Sequence, residues 1–284
     1  YDGRPHAEYN AIKNSIDNLE GSTMYVTLEP CSHYGETPPC TKEIIKNKII
    51  KIIYSVDDVD KKVKGKSFKI LKSKNIVVKK GLLYKEIINF YKPYFFNRKN
   101  KIPYVTGKIA VSKNNLIYSK GTKRITDINS DKLTHFLRYK NDSLMISYKT
   151  LNEDNARLDC RLEGLHNFSP KRIVLDNNLQ MNSSSYIFRT ANKNNTVVFY
   201  KNAHKLKILK FKKKGIKLIK SNLLKNGNFD VKVIFKKLYS LGCRNLLVEG
   251  GNDLSKSIIK KKLFNQFYLF KSPKNLSKLV PFKE

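Results

Sequence analysis

His6, Cys31 and Cys40 form a set that any fold of this chain must bring to within a few ångströms. His6 opens the run His6-Ala7-Glu8, and each cysteine follows a proline, in Glu29-Pro30-Cys31 and Pro38-Pro39-Cys40. One imidazole and two thiolates supply three ligands for a tetrahedral zinc and leave the fourth position open for water. Glu8, close to the histidine and not needed as a ligand, can take and return the protons of that water. A closed, structural zinc would need a fourth protein ligand. His33 is the residue available for it, but its place in the loop between the cysteines suits it better to lining a substrate pocket.

The apolar pattern places these residues on an alternating framework. Residues 6–18 read as a helix with Ala7, Ile12 and Ile16 on one face, broken at Gly21. Residues 23–28 (TMYVTL) read as a strand, 41–48 as a helix and 49–56 as a strand, so the three ligands fall at two helix starts and one strand end. There, helix dipoles favour thiolate over thiol. Residues 67–71 suggest a short helix, 76–78 a strand, and 82–96 one aromatic helix ended or kinked near Pro93. The polar run 97–101 followed by Pro103 reads as a domain boundary. Beyond it, strands at 104–111, 142–147, 172–175, 196–200, 216–219 and 245–249 alternate with helices at 131–139 and 231–241 and from Leu254. That order predicts a second, mostly parallel α/β domain. The Gly250-Gly251 pair between a strand and a helix is a turn that can bring backbone N–H groups to a phosphate, although it is not a G-x-G-x-x-G fingerprint.

Composition removes several function classes. A chain of 284 residues with 40% hydrophobic and 11% aromatic content can bury a sizeable core. Its apolar runs are too short for a membrane span. Lys and Arg number 57 against 23 Asp and Glu, a formal charge of +34. Such a balance raises nucleic-acid binding, but the lysines are scattered and interrupt apolar segments instead of forming a basic arm. A solvated basic surface is the preferred reading, and nucleic acid is not the expected partner. The four cysteines do not form a disulfide set; with two in the metal motif and Cys160 and Cys243 standing alone, a reducing cytoplasm is expected.

His-x-Glu followed by Pro-Cys is the pattern of zinc-dependent deamination of nucleobases, with the glutamate as general acid and base. Here eight residues separate the cysteines, and the whole run Thr27-Leu-Glu-Pro-Cys-Ser-His-Tyr-Gly-Glu-Thr-Pro-Pro-Cys40 resembles the N-terminal domain of the bifunctional deaminase/reductase family of riboflavin biosynthesis. The resemblance resumes in order at Pro103-Tyr104-Val105, Lys108 to Ser112, Ile125-Thr126, Phe136-Leu137-Arg138, Arg172 to Asp176 and Leu246 to Gly251. It implies a cytidine-deaminase-like three-layer α/β domain over 1–99, expected to lack the family's opening segment, and a dihydrofolate-reductase-like α/β domain over 100–284. The implied activities are deamination of a phosphoribosylated diaminopyrimidine with Zn2+, then reduction of its ribose to a ribityl chain with NADPH.

Residue by residue, the resemblance places cofactor contacts at Ala110, Arg124, Thr150, Asp154 and Asn177 and along Gly251, Asn252, Asp253, Leu254, Ser255, Lys256 and Ser257. It places substrate contacts at Thr122, Arg138, Leu158, Arg161 and Glu249, with the guanidinium forks of Arg138 and Arg161 suited to phosphate. Departures gather in this half. Ser112-Lys-Asn-Asn115 stands where S-L-D-G is usual, Arg124 where a tryptophan is common, and Asp154-Asn-Ala156 where D-D-P is usual. Two alternatives follow: a deaminase whose reductase half has decayed, and a nucleic-acid-editing zinc deaminase. The expected partner is a small phosphorylated pyrimidine, and the expected assembly is a homo-oligomer, dimer or tetramer.

Overall fold

The β-rich run Thr23–Leu28 becomes the first strand (β1), half exposed along its length, and each following apolar run adds a strand beside the last. The structure, a computed structural model, describes residues 5–35, 37–117 and 126–275. It divides into two units, Tyr1–Asn100 and Lys101–Glu284.

In the first unit α1 (Ala7–Lys13) precedes β1. Then come α2 (Cys40–Lys46), β2 (Lys51–Val56), α3 (Lys66–Lys72), β3 (Val77–Lys80), α4 (Tyr84–Phe90) and α5 (Lys92–Asn100). The strands lie in the order β1-β2-β3 and pair in parallel, because a helical crossover between strands returns the chain to the same end of the sheet. β2 is central. Ile52 and Tyr54 are fully buried against Ile44 of α2 and Leu71 of α3, and the Tyr54 hydroxyl donates to Asp57 at 2.9 Å.

Three sequence expectations change here. α1 stops at Lys13 with Asn14 as its cap, because Ile16, expected on its apolar face, is fully exposed. The single helix over 82–96 is two helices parted at Tyr91. Pro93 starts the second one instead of ending the first, since the N–H it lacks has no intrahelical acceptor in a first turn. α5 then runs through the supposed linker to Asn100. Asn97 is buried there, and its amide donates to the Pro93 carbonyl at 2.6 Å.

The second unit holds β4 (Tyr104–Val111), α6 (Ile128–Lys140), β5 (Ser143–Ser147), α7 (Tyr148–Asp154), β6 (Lys171–Leu175), α8 (Tyr186–Arg189), β7 (Thr196–Tyr200), α9 (Lys205–Lys213), β8 (Lys217–Lys220), α10 (Val231–Ser240), β9 (Asn245–Val248), α11 (Asn252–Lys260) and β10 (Gln266–Lys271). All seven strands run parallel in the order β10-β4-β9-β5-β6-β7-β8. Their sequences are apolar on both alternations, as strands covered by helices on both faces require. Met145, Ile173, Val197 and Leu246 point to one face, beneath Ile234 and Phe235 of α10 and Ile258 of α11. Leu144, Val174, Val198 and Leu247 point to the other, against Leu137 of α6, Leu151 of α7 and Phe211 of α9. The α/β fold class read from the sequence holds in both units. The short helices α7 and α8 were not anticipated. Each is started by a serine, Ser147 or Ser185, whose hydroxyl accepts from a backbone N–H three residues on.

Left-handed backbone marks several helix ends. Lys48, Asn75, Lys101 and Lys262 follow α2, α3, α5 and α11 with φ of 53°, 59°, 57° and 51°, the place where glycine is usual. Asn115 and Asn155, at φ of 58° and 44°, stand at two of the departures noted above. Asparagine is among the few L residues that adopt this region readily, so the Asn115 turn keeps a backbone suited to the usual glycine, and Asn155 takes the left-handed cap of α7. Among the described residues no helix is long and apolar enough to cross a membrane.

Candidate active sites

The metal motif closes up as its chemistry demands. His6 is the extended cap residue of α1, Cys31 lies three residues past β1, and Cys40 is the first residue of α2. His6 Nδ1 is 3.3 Å from Cys40 Sγ and 3.4 Å from Cys31 Sγ, and all three ligand atoms lie within 4.8 Å of one another. Zinc with bonds of about 2.3 Å to sulfur and 2.0 Å to nitrogen at tetrahedral angles would set each N···S separation near 3.5 Å, so the donor set fits zinc. Two backbone bonds hold the cysteines in register: Cys40 N–H donates to Cys31 Sγ at 3.2 Å, and Thr41 N–H to the Cys31 carbonyl at 3.1 Å. The hydrogen bond between the thiols draws Cys31 down to about 5. The same bond, with burial, pushes Cys40 up.

Glu8 lies in the first turn of α1. Burial pushes its carboxyl above the usual range, with Cys31 adding to the shift and His6 opposing it. Glu8, His6, Cys31 and His33 face one cavity of about 950 Å³, whose further walls include Thr27, Asp58, Asp60, Lys62, Tyr91, Tyr94 and Arg98. His33 Nδ1 is buried with no hydrogen-bond partner. Among the described lining residues the carboxylates of Glu8, Glu29, Asp58 and Asp60 outnumber the cations of Lys62 and Arg98, the reverse of the basic groove a nucleic-acid editor needs.

Glu29 is a residue the sequence did not single out. Almost fully buried, it accepts at Oε2 from the N–H groups of Asp58 (3.3 Å) and Gly65 (3.0 Å), and at Oε1 from the Ser67 hydroxyl (2.5 Å). It thus ties the chain entering the Cys31 loop to the loop after β2. Asp58 on that loop accepts from Asp60 N–H at 2.8 Å and from the Tyr94 hydroxyl at 3.2 Å. The available signal was an acidic residue in an otherwise apolar strand end directly before Pro-Cys.

The second unit opens a cavity of about 900 Å³ at the carboxyl ends of β4, β5, β6 and β9, where parallel α/β sheets bind ligands. Lys108 and Ala110 reach it from β4, Thr150 and Asp154 from α7, Asn177 from beyond β6, and Glu249 to Leu254 and Ser257 from the β9–α11 turn. A Cβ on Gly251 would lie 2.8 Å from Thr150 Oγ1, so that close approach requires glycine. Asn252 begins α11 with its Oδ1 buried and without a partner. An α-helix start fronted by Gly-Gly offers its free backbone N–H groups to a phosphate, while the Asn252 oxygen calls for a donor. Behind this wall Arg138 clasps Glu249: Nε donates to Oε1 at 2.6 Å and Nη2 to Oε2 at 2.8 Å. Burial opposes the charge of Glu249, but the Arg138 guanidinium outweighs it and holds the carboxyl below its usual range.

Comparison with known proteins matches residues 103–278 to the family described as RibD C-terminal domain, and residues 1–56 to the cytidine and deoxycytidylate deaminase zinc-binding region. The riboflavin biosynthesis protein RibD of Aquifex aeolicus is 31% identical over 274 residues, covering 96% of this chain and 75% of that protein. The chain belongs to the RibD family. The RibD protein of Buchnera aphidicola (subsp. Baizongia pistaciae) is 30% identical over 301 residues, covering 96% of this chain and 76% of its own. A solved Thermotoga maritima structure described as a diaminohydroxyphosphoribosylaminopyrimidine deaminase/5-amino-6-(5-phosphoribosylamino)uracil reductase superposes with a TM-score of 0.83 at 26% identity, over 99% of this chain and 77% of that one. Acinetobacter baumannii RibD shares the fold, with a TM-score of 0.85 at 24% identity over 99% of this chain and 77% of its own.

In this chain Ala110, Thr150, Asp154, Asn177, Gly251, Asn252, Asp253, Leu254 and Ser257 all line the second cavity, as does Glu249. Ser255 and Lys256 lie on α11 away from that wall; Ser255 is buried, and its hydroxyl donates to the Gly250 carbonyl at 3.4 Å. Leu158 is buried with φ of 59°. Arg161 pairs with Asp159. Neither they nor Arg138 lines the cavity, and Arg138 has its fork on Glu249 rather than open toward a phosphate. Thr122 and Arg124 lie outside the described residues. The close approach at Gly251 and the backbone N–H groups at the start of α11 suit the pyrophosphate of a dinucleotide, so the residues present fit NADPH.

Proposed function

We propose that His6, Cys31 and Cys40 hold the zinc of a deaminase site, that Glu8 moves its protons, and that 1–99 and 100–284 are the deaminase and reductase domains. As a member of the RibD family the chain is a bifunctional enzyme of riboflavin biosynthesis, using zinc for deamination and NADPH for reduction. The observation that carries the residue assignment is the meeting of three ligand atoms within 4.8 Å in the same cavity as Glu8.

The proposed first reaction is hydrolytic deamination of a diaminohydroxyphosphoribosylaminopyrimidine. Zinc, when bound, makes water acidic enough to attack near neutrality. Glu8 would take a proton from the attacking water and pass it to the departing amine; the remaining hydroxyl proton goes to the ring nitrogen, so ammonia leaves and a carbonyl remains. His33, with a buried free nitrogen, lines the pocket that orients the ring. In the proposed second reaction NADPH supplies the hydride that reduces the ribose. Gly251 and the start of α11 would hold its pyrophosphate, and Ala110, Thr150, Asp154 and Asn177 complete the cavity wall.

The turns kept by Asn115 and Asn155 favour a working reductase over a decayed one. The deciding assay supplies the diaminopyrimidine with and without NADPH. Ammonia release without NADPH, followed by NADPH oxidation once the deaminated product forms, is expected. Deamination with no NADPH consumption would overturn the second half of the reading. The chain is further proposed to act in the cytoplasm as a homo-oligomer, dimer or tetramer. Free Cys31, Cys40, Cys160 and Cys243 support the compartment, and exposed Phe136, Tyr139 and Phe168 support the assembly. Light scattering on the purified chain tests the latter, a monomer being the contrary result.

A further inference from the structure

Lysine is spread along the whole chain, but carboxylates are not. From Asn177 to Phe229 there are eleven lysines and Arg189, and no aspartate or glutamate. Twelve of the 34 formal charges thus fall in 53 of the 284 residues. This stretch includes α8, β7, α9 and β8, the last being an edge strand of the second sheet. α9 rests on the core through Ile208 and the buried Phe211. The helical repeat puts Leu206, Leu209 and Lys213 on the opposite side. Leu206 is 69% exposed and Leu209 52%, and Lys205, Lys210, Lys212 and Lys213 around them are exposed. Among the described residues none of these four lysines makes an ion pair. Burial raises the Asp176 carboxyl and the charge of Lys207 counters it, so Lys207 is not counted with this face.

Two chemistries meet on the outward side of α9. Exposed leucines gain by entering an apolar phase, and the ammonium groups flanking them gain by meeting anions. A bilayer of acidic lipids offers both within the depth of a side chain. Nucleic acid offers the anions but is gripped by aromatic platforms and arginine forks. The exposed large apolar side chains of this stretch are Leu206, Leu209 and Leu224, none of them aromatic, and its cations are lysines except for Arg189. A helix lying in the interface needs no spanning length, so the short apolar runs of the chain are no obstacle.

We propose that the outward face of α9 is a peripheral membrane-binding surface: Leu206 and Leu209 enter the acyl boundary of an anionic bilayer while Lys205, Lys210, Lys212 and Lys213 meet its phosphate headgroups. None of these residues lines either cavity, so attachment is separate from the chemistry of the two sites.

The test sediments the full chain with vesicles of phosphatidylglycerol and phosphatidylcholine, and with vesicles of phosphatidylcholine alone. Binding to the acidic vesicles, weakened by salt and absent on phosphatidylcholine, is expected. Each lysine near an anionic surface is worth about fivefold in affinity. Replacing Lys205, Lys212 and Lys213 together by glutamine should therefore weaken binding about a hundredfold. Leu206→Gln with Leu209→Gln keeps the charge and the helix propensity and should lose at least about tenfold. A control that replaces Lys13, Lys46 and Lys85, exposed on the first unit, by glutamine should bind as wild type does. Far-UV circular dichroism and the urea midpoint check that each variant is folded. Absence of binding to acidic vesicles would overturn the proposal. So would a leucine variant that binds like wild type, which leaves only diffuse charge, or control lysines that matter as much as those of α9. Binding to single-stranded RNA that is tighter than to vesicles, and untouched by the leucine change, would overturn it in favour of nucleic acid.

Discussion

Removing the Glu29 carboxylate should loosen the wall of the deaminase cavity from the inside. Glu29→Ala strands the N–H groups of Asp58 and Gly65 and deprives the Ser67 hydroxyl of its acceptor. Each stranded donor costs about 1–3 kcal/mol; two backbone donors and a hydroxyl that can reorient give roughly 4 kcal/mol in total. Glu29→Gln should cost only roughly 1 kcal/mol, the difference between ionic and neutral hydrogen bonds. Its amide oxygen can keep both N–H groups, and its NH2 can donate to Ser67 Oγ. Urea unfolding at saturating zinc, with hydrogen exchange read at the Asp58 and Gly65 amides, separates the two variants. Because the loop after β2 carries Asp58 and Asp60 into the cavity, KM for the pyrimidine should rise more in the alanine variant than zinc affinity falls. Glu29→Ala within about 1 kcal/mol of wild type, or glutamine as damaging as alanine, would refute the reasoning.

Other outcomes follow from the same geometry. Glu8→Gln should retain zinc, abolish ammonia release and leave reduction of supplied intermediate unchanged; metal analysis beside the two assays checks it. Cys40→Ser should lose zinc and lower the stability of the first unit, since metal binding is coupled to folding, while NADPH oxidation persists. Phe235, fully buried on α10, should cost about 3–5 kcal/mol when cut to alanine, seen as a lower urea midpoint for the second unit. Asp142 accepts from the N–H groups of Arg244 and Asn245 at 2.7 and 2.9 Å, yet burial pushes its carboxyl up. The folded state therefore holds that proton more tightly than the unfolded one. Wild-type stability relative to Asp142→Asn should be greatest below roughly pH 4 and decline as pH rises through the ordinary carboxylate range. A difference in denaturation midpoint that grows with pH would contradict this.

The zinc ligands were legible because metal chemistry admits few donor types, so a His-x-Glu and two Pro-Cys pairs specify a meeting point without any knowledge of the path between them. Strands of the second unit were legible because burial on both faces writes continuous apolar runs, as in Leu144-Met145-Ile146 and Leu246-Leu247-Val248. Helix limits were harder. Ile16 fits a helical face by spacing but is left in solvent, and Pro93 carries the same letter whether it ends a helix or starts one. Polar partnerships were the least legible. Nothing local in Arg138 tells that its fork is taken by Glu249, and nothing in Glu29 tells that Gly65 and Ser67 will donate to it, because a hydrogen bond across more than thirty residues leaves no periodic trace. The family resemblance places Arg138 and Glu249 near the same ligand; in the structure Glu249 lines the second cavity and Arg138 pairs with it.

The helix ends at Lys48, Asn75, Lys101 and Lys262 carry a consequence for how much stability this chain holds in reserve. The three lysines keep a left-handed backbone with a side chain that opposes it, at roughly 1 kcal/mol or more, and Asn75 does so at less cost; none lines either cavity. A protein near its threshold of stability tolerates few further changes. Glycine at these four turns would widen that tolerance without touching a ligand, a proton carrier or a cofactor cradle, so the means of making this enzyme more robust are physically separate from the means of making it work.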